Sequence, residues 1–297
     1  GADLWLYRRV SCGGGAGMSR LLSLAHLTAI DLPPPALIHA AARAGFDAVG
    51  LRLIRVTETS PGYPLMQDAA LMRATRTALR ETGVTVHDIE FVKITPETRA
   101  EDLIPFLDAG AELGAKEVIT APYDPDLSRL AATLGRLGQL AADRGLGVSL
   151  EFFPWTNVPS LSAALAVVEQ AGPAIGILPD SLHFDRSDSL LSTLQALPPA
   201  RLRFAHLCDA PVHPPYSTED LLHAGRAERL PPGDGGIDLQ AYVRALPGDL
   251  PLALEVPMTA HTAAQGPEAT VAHVMRRTRT FLARIGLDGI RPDGIGD

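Results

Sequence analysis

Four polar residues each close an apolar run: Glu151 in VSLEFFP, Asp180 in IGILPDSLH, His206 in RFAHLCD and Glu255 in LALEVP. Such runs read as strands buried on both faces, so each polar group is delivered at the mouth of a packed core. Three carboxylates and one imidazole can hold one divalent cation and leave coordination positions open. An oxygen-rich set with a single imidazole suits Mn2+, with Mg2+, Co2+, Zn2+ and Fe2+ as alternatives; no organic cofactor is expected. Taken alone, such a residue more often caps a strand end or pairs with an arginine. Four in successive strands favour a metal centre, and with it an enzyme over a binding module. His183 follows Asp180 by three residues (D-S-L-H), and Asp209 follows His206 by three (H-L-C-D). Both are read as groups supporting the centre, as orienters or substrate contacts.

The elements that must position these groups alternate regularly. Strands are predicted at Leu22–Leu27, Ala48–Leu53, Val84–Val92, Glu117–Pro122, Gly147–Phe153, Ile175–Asp180, Leu202–Leu207 and Leu250–Val256. Between them lie amphipathic helical segments, several ending at a glycine: Gly45, Gly83, Gly114, Gly145 and Gly172. Eight strands alternating with about eight helices indicate an α/β fold with a parallel sheet, and the count of eight favours a closed (β/α)8 barrel. An open doubly wound sheet is the competing fold, but no Gly-rich turn follows the first strand. One barrel domain is expected over residues 21–288, with a flexible arm or expression remnant over 1–20 and a tail over 289–297. Met18 is a candidate natural start. The connection from Cys208 to Gly236, with a short helix around Glu219–Ala224, has the length of a lid.

Bulk properties narrow the functions. The 297 residues are 46% hydrophobic and carry a formal net charge of −8. That charge argues against a protein that wraps nucleic acid through phosphate contacts. No apolar run approaches the ~20 residues of a membrane helix, so no membrane partner is expected. The two cysteines, Cys12 and Cys208, do not suggest a disulfide, and a reducing, cytoplasmic setting fits. The partner is a small-molecule substrate, with a homo-oligomer as a further expectation.

Other residues near strand ends are candidate substrate contacts. His26 and Arg52 end the first and second strands, and Glu90 and Lys93 lie near the end of the third. Glu90 alternatively pairs with Arg52 or Lys93. Trp155 offers an apolar wall against a ring. Arg226 and Arg229 sit in HAGRAERLPPGDGGIDL, after the seventh strand, where barrels often bind anions. Arg226 is the preferred contact; otherwise both brace the lid through Glu219, Glu228 or Asp234.

The set of Glu151 in SLEFFP, Asp180-S-L-His183, His206-L-C-Asp209 and Glu255 resembles the sugar phosphate isomerase/epimerase superfamily with the xylose isomerase-like TIM barrel. The resemblance covers roughly Leu22 to Ala283 and extends to ketose 3-epimerases, hydroxypyruvate isomerase, keto-inositol dehydratase and dehydroshikimate dehydratase. It implies that Glu151 and Glu255 are both ligands and acid/base groups; His183, from its spacing after Asp180, is a further catalytic candidate. The implied reaction is proton abstraction alpha to the carbonyl of a small polyhydroxy keto compound, with a metal-stabilised enediolate. A dehydratase on the same scaffold is the alternative. An abasic-site endonuclease and a non-catalytic sugar-binding barrel are remoter ones, the former opposed by the acidic charge.

Overall fold

The computed structural model describes residues 20–287. The tail expected over 289–297 lies outside them, as does Cys12 and all of the expected arm but Arg20. Arg20 belongs to the barrel: it is buried and donates to the carbonyls of Val243 (3.4 Å) and Leu250 (3.5 Å).

Eight parallel strands are formed: β1 Leu22–Leu24, β2 Ala48–Arg52, β3 Thr85–Ile94, β4 Glu117–Pro122, β5 Gly147–Glu151, β6 Ile175–Leu178, β7 Ala205–Leu207 and β8 Leu252–Leu254. Helices follow every strand. Ladders join β1 through β6 in order, and β1 to β8 and β8 to β7. The eighth seam, β6 to β7, is made by two isolated bridges, Ile177–Leu202 and Asp180–His206. Pro179 explains the thin seam. It has no N–H to give a ladder, though its carbonyl still accepts from the His206 N–H at 2.9 Å. The result is a nearly closed (β/α)8 barrel.

The strands are apolar on both faces because both faces are covered. Outside, Leu37, Ile38, Leu107, Leu134, Val168 and Val274 are fully buried between strands and helices. Inside, Phe91, Ile119, Leu178, Phe204 and Ala253 fill the barrel. Each such large side chain contributes roughly 1.5–3 kcal/mol of transfer free energy. Helix starts are fixed by Asp68, Asp126, Ser160, Ser217 and Asp238, whose side chains accept first-turn N–H groups. At the end of the helix Pro34–Ala44, Gly45 takes φ +86°, which lets its N–H return to the last carbonyls.

Most strands stop earlier than the apolar runs do. The first ends at Leu24, and His26–Ala29 forms a 3₁₀ turn instead. His26 explains the departure. Its Nδ1 accepts from the Arg52 N–H (2.8 Å) and its Nε2 donates to the Leu32 carbonyl (2.9 Å). Thr28 fastens the same turn to the barrel, donating to the Leu254 carbonyl at 2.8 Å and accepting from the Val256 N–H at 2.9 Å. His26 thus spends both ring nitrogens on main chain and does not line the pocket described below.

This burial has a pH consequence. Desolvation pushes the His26 pKa down to about 3. The unfolded chain takes up a proton below about pH 6.5, whereas the folded one refuses it until about pH 3. Stability therefore falls as pH drops through that window, by about 2 kcal/mol at pH 5 from this residue alone. Denaturant titrations of the wild type and His26→Gln at pH 7 and pH 5 should show a shallower acid loss in the variant. Equal losses would refute the assignment.

Candidate metal centre and pocket

Glu151 is the last residue of β5, His206 sits within β7, and Asp180 and Glu255 lie just past β6 and β8. Consecutive positions around the ring turn the four side chains onto one point. One ligand atom from each lies within 4.8 Å of all the others, and all four residues are buried. His206 Nδ1 lies 3.4 Å from Glu151 Oε1, 3.5 Å from Asp180 Oδ2 and 3.4 Å from Glu255 Oε2. None of these contacts has hydrogen-bond geometry; both His206 nitrogens and Glu151 Oε1 are without a bonded partner. Buried polar atoms are rarely left so. Three carboxylates and an imidazole converging without bonding one another fit a divalent cation, as the sequence suggested.

Arg229 completes the centre. Its side chain is 1% exposed. It donates to Asp180 Oδ2 at 2.6 Å, to the Gly225 carbonyl at 3.0 Å and to the Glu255 carbonyl at 3.2 Å, and lies 2.9 Å from Glu255 Oε2. From the sequence, Arg226 is the preferred contact of the two, and the alternative has both arginines bracing the lid through Glu219, Glu228 or Asp234. The structure gives Arg229 the two metal-centre carboxylates instead, while Asp234 pairs with Arg277.

The electrostatics separate the two glutamates. Burial pushes the Glu151 carboxyl up to about 7, the neighbouring His206 offsetting only part of that cost. Burial acts on Glu255 too, but His206 and Arg229 outweigh it and hold that carboxyl down to about 2. Asp180 is likewise held well below the usual range, chiefly by Arg229 against the cost of burial. His206 is also buried, yet its carboxylate neighbours hold its imidazolium well above the ordinary value.

The supporting residues fall into three groups. His183 is buried beside the centre, Nε2 3.8 Å from Glu151 Oε1, with both nitrogens unbonded and its ring edge-on to Phe153 and Trp155. Arg52, Trp155 and Arg226 line a cavity of about 340 Å³ with Glu151, Glu255 and Arg229. Lys93 stands behind its wall, Nζ donating to the Val56 carbonyl (3.2 Å) and lying 4.6 Å from the centre of the Tyr123 ring. Glu90 and Asp209 do not line the cavity. Glu90 is buried, 3.2 Å from Arg52, which is the alternative pairing weighed for it. Asp209 clamps the lid segment, accepting N–H bonds from Ala210 (2.9 Å), Gly233 (3.0 Å) and Ile237 (3.1 Å).

The expected short helix of that segment spans Thr218–Arg226, opened by a reciprocal Ser217–Asp220 cap. It lies over the cavity because Gly225 has no side chain. A Cβ there would meet the Trp155 ring at 2.9 Å and His183 Cε1 at 3.6 Å.

Residues 38–281 match the family model described as the xylose isomerase-like TIM barrel. The chain belongs to the xylose isomerase-like TIM barrel family. Within it, the chain is 26% identical over 223 residues to a 3-dehydroshikimate dehydratase of Pseudomonas putida, covering 70% of this chain and 33% of the relative. It is 27% identical over 146 residues to an inosose isomerase of Bacillus velezensis, covering 45% of this chain and 50% of the relative. The chain thus spans a third to a half of the curated relatives it matches. A solved structure of the IOLI protein with a bound zinc atom superposes with a TM-score of 0.73 at 18% identity, over 89% of this chain and 98% of that one. That likeness concerns the barrel. Among the described residues, no helix is long and apolar enough to cross a membrane.

Proposed function

We propose that this family member is a divalent-metal-dependent isomerase or epimerase that removes a proton alpha to the carbonyl of a small keto compound. The observation that carries this reading is the convergence of Glu151 and Glu255, from strands three places apart in the ring, on one buried point with Asp180 and His206. Both glutamates line the cavity, so both can reach a substrate held there. A bound divalent cation would polarise the carbonyl and offset the negative charge that develops on its oxygen. Glu151, with an unbonded oxygen and a carboxyl poised near neutrality, takes the proton. Arg229 keeps Asp180 and Glu255 ionised and in place. His183, unbonded beside Glu151, is positioned to pass a proton to a neighbouring oxygen. Burial under the helix Thr218–Arg226 keeps water from the carbanionic species.

A second reading, a dehydratase, is favoured by the inequality of the glutamates. Glu255 is held by Arg229 whereas Glu151 is free, which suits chemistry needing one base, such as elimination. The similarity to a named dehydratase points the same way.

Incubation with keto sugars and keto-cyclitols in D2O, read by NMR, separates the two. Deuterium incorporation without loss of water supports isomerisation; an enone product supports elimination. Metal analysis of protein purified without chelator should find about one divalent cation per chain. Asp180→Asn keeps the helix cap made to Leu182 (2.7 Å) and should weaken metal binding ~10-fold or more. Unchanged metal affinity in that variant would remove the ligand assignment.

A further inference from the structure

Two carboxyl groups inside the barrel have no part in the chemistry above. Asp88 and Glu90 stand two residues apart in β3, on the face that turns into the barrel, and both are buried. The register between β2 and β3 slips beneath them. Val49 lies opposite Val86 and Gly50 opposite Asp88, so His87 is the extra residue of a bulge. His87 and Asp88 therefore both face inward. The His87 ring sits edge-on to Phe204, 4.8 Å between centres. Asp88 fills the room in front of Gly50, where a Cβ would meet its Oδ1 at 2.5 Å and its Oδ2 at 2.9 Å.

One cation serves these two carboxyls. Arg52 Nη2 lies 3.2 Å from Glu90 Oε2. Among the described residues, no Lys, Arg or His nitrogen comes within 4.0 Å of an Asp88 oxygen. Both oxygens of Asp88 and both of Glu90 are without a bonded partner. The neighbouring strands do not make up the deficit. Beside Asp88 on β4 is Glu117, a third carboxyl, already held by Ser149 Oγ (3.0 Å) and Arg203 Nη1 (2.9 Å). His87 is kept neutral by burial, its pKa pushed down to about 4. Towards the mouth, His206 stands among the carboxylates of the candidate centre, Glu255 included.

An ionised Asp88 would thus be a lone charge in a packed core, and a carboxyl so placed keeps its proton instead. Burial, and Glu90 after it, accordingly raise the Asp88 carboxyl well above its ordinary range. Burial raises Glu90 as well, against the pull of Arg52.

We propose that Asp88 is a neutral carboxylic acid in the folded protein at pH 7 and donates its proton to the carboxylate of Glu90. That proton supplies the donor that the orphaned oxygens lack. Glu90 keeps its charge for Arg52, whose side chain lines the cavity. Asp88 is therefore a positioning residue that acts through Glu90, and it adds no further charge beneath the four candidate ligands. The assignment stands apart from the proton-abstracting function proposed above.

Comparison of the wild type with Asp88→Asn tests it, because the amide has the same shape and still donates to Glu90. An unfolded aspartate releases its proton near pH 4, whereas the folded Asp88 keeps it. Wild-type stability therefore falls as pH rises above that value, and the variant escapes the fall. From pH 5 to pH 7 the ratio of the wild-type unfolding constant to that of the variant should climb about 10-fold per pH unit, about 100-fold in all. His26 and His87 titrate alike in both chains and cancel in the ratio. A ratio indifferent to pH would overturn the proposal. So would wild-type stability that changes when K+ is replaced by tetramethylammonium at equal ionic strength, which would place a small cation between the groups. Infrared spectra of the wild type, isotopically labelled at the aspartate side-chain carboxyl carbon, decide the matter even if the variant does not fold. At pH 7 a carbonyl band of protonated aspartic acid should appear, shifted by the label and by D2O. The label separates it from Glu151, and its absence would equally sink the assignment.

Discussion

Glu151→Gln should slow exchange of the substrate alpha proton with solvent by ~10²–10⁴-fold per bound metal, the range of a lost general base. Glutamine keeps the size of the side chain and one oxygen ligand but cannot receive the proton as a carboxylate does. The expectation rests on geometry. Glu151 Oε1 is buried and unbonded, whereas Glu255 Oε2 lies 2.9 Å from Arg229. Glu255→Gln discriminates the mechanisms. If both glutamates move protons, as in a two-faced epimerisation, it should lose exchange to a similar degree. If Glu255 serves only as a ligand, exchange per bound metal should fall far less. Metal content must be measured in each variant, because both positions are expected ligands. Near-native turnover per metal in both would move proton transfer to another group, with His183 and Lys93 next to be tested.

Arg229→Met should lower the stability of chelator-treated protein by about 3–5 kcal/mol, the cost of stripping a partner from buried charges. Methionine fills much of the volume, so the loss is electrostatic. Asp180 loses its 2.6 Å bond and Glu255 its neighbour at 2.9 Å, both without access to water. A divalent cation in the centre would supply positive charge to the same carboxylates, so the loss should shrink when metal is restored. Thermal or denaturant unfolding with and without added metal measures both effects. A variant as stable as the wild type after chelation would show that the guanidinium is not needed to hold the centre.

The four candidate ligands are legible in the sequence because a both-faces-buried strand is a continuous apolar run, and a run that stops at a carboxylate or imidazole marks the barrel mouth. The same logic finds all eight strands and places Trp155 and Arg226 at the pocket. It misplaces His26. Whether an imidazole at a strand end faces substrate or main chain depends on the positions of Leu32 and the Arg52 N–H, which no local pattern encodes. It also undervalues Arg229, whose partners Asp180 and Glu255 lie 49 and 26 residues away. Glu219, Glu228 and Asp234 were nearer in sequence, and proximity along a long loop is a poor guide to partners across a barrel mouth. The aromatic lining of the cavity was missed for a similar reason. Phe91 lies in β3 and Tyr123 and Phe153 just past β4 and β5, and only closure of the ring sets them side by side.

Closure of that ring has a bearing on the life of the protein. The bridge between Asp180 and His206 crosses the thin seam between β6 and β7, and the same two residues are expected ligands of one cation. An ion shared by them would act as a rivet at the place where the barrel is least well laced. Metal supply would then govern durability as well as chemistry. A chain starved of its ion would be the one most readily pried open, and proteases would clear the idle copies ahead of the working ones.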